Sequence, residues 1–129
     1  MFPRRRCLSL LAALALLPAA TSSARAELVE IAWSPEGRFE HRFEIAPGQF
    51  AELCGPLVQG QAVRWRFESA GPLDFNIHYH VGEDVRFPVQ HKARANANGT
   101  LTVALDQGYC WMWTNRARQP RSLRVRLAR

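Results

Sequence analysis

The sequence has 129 residues, 47% hydrophobic and 22% charged, a balance that excludes an intrinsically disordered or low-complexity chain. That length builds one small domain with a modest core and is too short for a (β/α)8 barrel or a doubly wound dinucleotide-binding domain. The formal charge of +6 overstates the basicity: Arg4, Arg5, Arg6 and Arg25 fall in an N-terminal leader, and the remainder carries 13 basic and 11 acidic side chains, a net +2 that makes nucleic acid a poor partner.

The leader comes first in the chain. Arg4–Arg6 precede an apolar run, Leu8–Leu17, which Pro18 ends, and Ala24-Arg25-Ala26 supplies a small-x-small cleavage motif. This is the order of a secretory signal peptide, predicting removal of residues 1–26 and a single mature domain, 27–129, in the periplasm or secreted. The apolar run is shorter than the roughly 20 residues a spanning helix needs, so no stable membrane insertion is expected after cleavage. Cys7 stands before the apolar run rather than after it, which argues against a lipoprotein.

Period-two alternation then recurs along the chain, the mark of half-buried strands. Val29, Ile31 and Trp33 open it, and Ser34–Gly37 turns. Phe39, His41, Phe43 and Ile45 share one face of the next strand, with Arg38, Glu40, Arg42 and Glu44 on the other; His41 reads as a satisfied histidine at the core edge. Pro47-Gly48 turns again, and 49–59, carrying Cys54, reads as irregular or a short helix. Residues 62–68 form a strand with Val63, Trp65 and Phe67 inward, and Ser69–Pro72 breaks it. In 73–81, Leu73, Phe75, Ile77, Tyr79 and Val81 point one way and Asp74, Asn76, His78 and His80 the other.

After a turn at Gly82–Asp84, a short strand holds Val85, Phe87 and Val89, with Pro88 marking an edge position. Residues 90–99 read as the one long polar loop. Strands follow at 100–105, 109–114 and 123–127. The sum is an all-β chain, a small antiparallel β-sandwich of seven or eight strands, jelly-roll-like in character. The tail gathers Arg116, Arg118, Arg121, Arg124, Arg126 and Arg129 without an acid. It reads as a solvated strand face and loop, of a kind that can touch anionic lipid or polysaccharide.

The mature chain has two cysteines, Cys54 and Cys110. In an oxidising compartment an isolated pair bonds, closing a loop worth roughly 4 kcal/mol in the chain-entropy estimate. Their spacing is not CxxC, which gives a thioredoxin-like role no support.

Four features occur in order: Cys54-Gly-Pro-Leu-Val-Gln-Gly60, an apolar strand, Leu73-Asp-Phe-Asn-Ile77, and Gly108-Tyr-Cys-Trp-Met-Trp-Thr-Asn115 before a last apolar strand. Over Phe50–Leu127 this order resembles the GOLD domain, the lumenal β-sandwich of the p24/emp24 cargo-receptor family. The resemblance implies a GOLD-like sandwich, a bias toward binding modules, and a bond between Cys54 and Cys110. Here the cysteine follows Tyr109 directly, without that family's spacer, and its coiled-coil and membrane segments have no counterpart in the sequence, so a vesicle-cargo role is not carried over.

Two groups of residues point to chemistry. His78 and His80 stand at i and i+2 of one strand and so share a face, as imidazole pairs holding Zn(II) or Cu(II) do. His91 is the candidate third metal ligand, with Glu83 and Asp84 behind it; Met112 would add a thioether and favour copper. The competing reading is unliganded surface or structural histidines. Trp111 and Trp113, with Tyr109, form an aromatic row that is either buried core or an exposed platform rimmed by Arg116. No GxSxG, HExxH, P-loop or dinucleotide fingerprint is present, and a bonded cysteine pair offers no nucleophile, so no catalytic activity is expected. The sequence thus predicts an exported non-catalytic module that contacts a protein or cell-envelope partner, the alternative being a periplasmic copper- or zinc-binding protein.

Overall fold

In the computed structural model the described residues are 15–19 and 26–129, so most of the leader and its cleavage motif lie outside them. Seven strands follow: β1 (Glu27–Glu30), β2 (Arg38–Ile45), β3 (Phe50–Leu57), β4 (Ala62–Val81), β5 (Asp84–Thr102), β6 (Gln107–Thr114) and β7 (Arg121–Ala128). Among the described residues no helix is long and apolar enough to cross a membrane.

The organising element is the hairpin β4–β5. Its two-residue turn places Gly82 at φ 61°, a region open to glycine, and Val81 pairs with Asp84 across it. β4 runs 20 residues and serves two sets of neighbours. Its first half, Arg64–Ser69, pairs with β7, which pairs with β2; its second half, Asp74–Tyr79, pairs with β6, then β3, then β1. Register shifts between Glu68 and Leu73 bend it at the corner. The two halves therefore carry two layers whose inner faces meet.

The core between the layers follows the alternation. Phe43 and Ile45 of β2, Val63, Trp65, Phe67, Leu73, Phe75 and Ile77 of β4, and Leu123, Val125 and Leu127 of β7 are buried. From the other layer come Leu53, Tyr109, Trp111 and Trp113. Trp113 ties the layers together: its ring centroid lies 5.8 Å from Phe67, 5.3 Å from Phe75 and 6.2 Å from Phe43. Gly99 faces Trp65 across the hairpin, where a Cβ would fall 2.6 Å from the indole, so only glycine lets the ring lie flat on β5.

The all-β sandwich is as predicted, with three differences. The expected loop at 90–99 continues β5 and pairs with β4, because hairpin partnership outweighs the poor strand propensity of its alanines and asparagines. The break at 69–72 is a bulged corner within β4 rather than an end. The stretch 49–59 is mostly β3, paired with β6 and, in parallel, with β1; the sandwich is therefore not wholly antiparallel.

Candidate functional site

Alternation leaves one polar cluster on the outer face of β3, β6 and β4. Register places Glu52, Met112 and Asn76 in one row and Cys54, Cys110 and His78 in the next. Cys54 and Cys110 are bonded directly across β3 and β6, as expected. His80 follows His78 on the same face, the two rings 5.6 Å apart and edge to face.

His78 is the fixed member. Its side chain is only 10% exposed, and Phe87, at a register shift of β5, packs over it with ring centroids 5.9 Å apart. Its Nδ1 lies 2.8 Å from Asn76 Oδ1. An amide oxygen only accepts, so Nδ1 carries a proton, and in the neutral ring Nε2 keeps its lone pair. That lone pair faces Glu52 Oε1 at 3.7 Å, beyond hydrogen-bond range, with Glu52 itself only 15% exposed.

Burial raises the Glu52 carboxyl above its ordinary value, with nearby His80 acting against it. Burial lowers His78, and the charge of His80 adds to that. Both groups thus move toward neutrality although they face each other, because at this separation desolvation outweighs their attraction. The Glu52 oxygen and both cysteine sulfurs lie within 4.8 Å of one another; bonded sulfurs are not thiolates, so the disulfide floors the cluster rather than ligating.

The structure corrects the placement of His91 and decides between the two readings of the aromatic row. His91 lies on the opposite side of the hairpin: it pairs with Phe75 and stacks on that inward ring at 6.2 Å, with Trp65 at 6.5 Å, so it does not join His78 and His80. Trp111 and Trp113 are both 0% exposed and form no platform; the inner layer takes them because they are the largest apolar groups on β6. Arg116 is exposed but pairs with Asp74, which it holds below the usual carboxylate range. Asn115, beside it, is a structural hub: its side chain donates to the carbonyls of Ile45 and Gln119 and accepts from the Ala117 N–H. Of the other candidate ligands, Asp84 sits at the hairpin tip against Arg86, and Met112 is on the cluster face.

Glu52 is the one member of the cluster that the histidine spacing does not point to. The signal was there: Ala51 and Leu53 alternate with Glu52 and Cys54, which places the carboxylate beside the cysteine.

A second polar surface covers the outer face of β2, β7 and the first half of β4. Rows of register partners bring together Arg38 and Arg64, then Glu40, Arg126 and Arg66, then Arg42, Arg124 and Glu68. Glu40 bridges Arg124 at 2.7 Å and Arg126 at 3.3 Å, Arg66 pairs with Glu68 at 2.7 Å, and Glu44 accepts from the Ser122 hydroxyl. Among the described residues Arg38, Arg42 and Arg64 enter no ion pair. A shallow open depression lined by Arg38, Arg64, Arg66 and Arg126 lies on this face.

No protein-family model matches the sequence, and no curated protein matches it. Solved structures share the fold. PliG of Aeromonas hydrophila, a periplasmic lysozyme inhibitor of g-type lysozyme, superposes at TM-score 0.52 with 14% identity, over 80% of this chain and 97% of that one. PliG of Salmonella Typhimurium does so at TM-score 0.56 with 11% identity, over 79% and 96%. The pre-peptidase C-terminal domain of a Bacillus anthracis collagenase reaches TM-score 0.58 with 4% identity, over 83% and 98%. At these identities the similarity is one of fold.

Proposed function

We propose that this chain is an exported, non-catalytic binding module that engages an acidic protein partner in the periplasm through the open face of β2, β7 and β4. The observation that carries the reading is the arginine face, with six arginines against three carboxylates and three of the six without an ion pair. Flat, exposed guanidinium groups on a rigid sheet suit bidentate contact with carboxylates and steer an acidic partner toward them. The leader and the disulfide support export, since such bonds persist in oxidising compartments. The shared fold adds support, because two of its bearers are named as periplasmic inhibitors of an enzyme. The GOLD-like assignment belongs to the same proposal, the Cys54–Cys110 bond being the pairing that resemblance implies.

The test is site-specific photocrosslinking in the periplasm, with the crosslinking residue at position 64 on the arginine face or at position 107 on the opposite layer. A protein adduct at 64 that is absent at 107, and that is lost when the same crosslinking chain also carries Arg38→Glu and Arg42→Glu, is the expected result. Adducts that ignore the charge reversal would remove the arginine face from the reading.

A further inference from the structure

Independently of the arginine face, the geometry points to a metal site: we propose that Glu52, His78 and His80 together bind a divalent transition-metal ion on the outer face of β3, β6 and β4. Asn76 fixes His78 as the Nδ1–H tautomer, so Nε2 presents a lone pair. A hydrogen-bonded carboxylate orienting a ligand imidazole is the usual outer-shell arrangement, and an amide oxygen performs the same task here. The Glu52 oxygen faces that nitrogen at 3.7 Å. Ligands held at about 2.0–2.2 Å around a tetrahedral ion stand a little over 3 Å apart, so a small side-chain rotation brings Glu52 and His78 to ligand spacing. His80, on the same face and 5.6 Å away between ring centroids, is exposed; it does not stand within 4.8 Å of both other donors, and its ring turns inward to supply the third.

The alternative explanation of the pair is an ordinary histidine–carboxylate hydrogen bond. The separation is too long for one. A buried carboxylate facing a buried lone pair costs free energy, and a cation between them removes that cost. The disulfide lies in the neighbouring row of the same face, the half-exposed Phe87 packs against His78, and the exposed His80 is the solvent side of the cluster. Two imidazoles and a carboxylate suit Zn(II) and Cu(II), and Met112 in the same row as Glu52 places a thioether beside them.

The experiment is titration calorimetry of untagged, chelator-stripped protein with Cu(II) alone and with Zn(II) alone, on the wild type and on Glu52→Gln, His80→Ala and His91→Ala. Expected is one ion per chain, Cu(II) tighter than Zn(II), with affinity reduced ~10-fold or more in both Glu52→Gln and His80→Ala. His80 is exposed, so its variant keeps the fold and tests the site without a stability artefact. His91→Ala binds like wild type, because that ring lies on the far side of the sheet. Absence of stoichiometric binding by either ion, or wild-type affinity in Glu52→Gln or His80→Ala, overturns the site, as does a loss on changing His91. None of these results depends on a partner protein, so failure here leaves the arginine-face reading to its own test.

Discussion

Glu52 holds a carboxyl out of water with a lone pair in front of it, and a side chain in that position destabilises the metal-free protein at neutral pH. Its folded-state value is raised above the ordinary 4.5. As pH rises through that ordinary value the unfolded chain gives up its proton first, so stability falls until the folded carboxyl has ionised as well. The metal-free Glu52→Gln variant is therefore more stable than wild type at pH 7, and the difference closes in acid below the ordinary glutamate range; urea midpoints in the presence of chelator at both pH values measure it. A variant that is less stable at pH 7 would mean that Glu52 is stabilised as an anion, contrary to the burial argument. His78 acts in the opposite sense: its lowered value costs stability as pH falls through the ordinary imidazole range, and comparing the two chains at each pH separates the Glu52 contribution from it. At this scale the sequence was half legible. The i, i+2 rule put His78 and His80 on one face, but no local rule brings Glu52 across β6 to meet them. Nor does parity say which side of β6 is the interior when Trp111 and Trp113 alternate with Cys110 and Met112, apolar groups on both faces.

At the scale of elements, alternation located most strand segments, left 49–59 as irregular or a short helix and 90–99 as a loop, and misjudged how the segments join. Ser69–Pro72 carries turn residues, yet β4 bends there without ending, because β5 follows it round the corner as a hairpin partner. Residues 90–99 are polar and Ala/Asn-rich, yet they extend as an edge strand whose Lys92 and Arg94 and left-handed Ala93 (φ 52°) discourage further pairing. β3 was obscured by Gly55 and Pro56, which sit near its end. Its place between β1 and β6 is pinned by the disulfide, and this makes the bond's contribution measurable. Closing the loop from Cys54 to Cys110, 56 positions apart, restricts the unfolded chain by about 4 kcal/mol in the chain-entropy estimate. Reduction, or the double variant Cys54→Ser with Cys110→Ser, is expected to lower unfolding free energy by up to that amount in denaturant titrations. An unchanged midpoint would show that the two strands hold each other without the bond.

At the scale of the whole molecule, a net charge of only +2 over residues 27–129 hides an uneven distribution. The layer of β2 and β7 exposes arginine rows, while the layer of β3 and β6 exposes the half-buried Glu52 and its histidines, and the core between them keeps the two outer faces apart. Groups on opposite layers share no partner, and mutations at such separated sites add. The two proposed surfaces are therefore independent, and they differ in their expected response to salt. Contacts made by exposed guanidinium groups weaken as the Debye length shrinks from about 10 Å at 0.1 M salt to about 3 Å at 1 M, whereas coordinate bonds in a desolvated cluster do not. Raising salt over that range is expected to weaken partner capture strongly and to leave metal affinity within about twofold. Charge reversal of the arginine face should likewise spare metal binding, and His80→Ala should spare partner capture. Measuring both readouts on both variants closes a cycle, and a coupling between them, in either direction, would show that the faces communicate through the strand they share, β4.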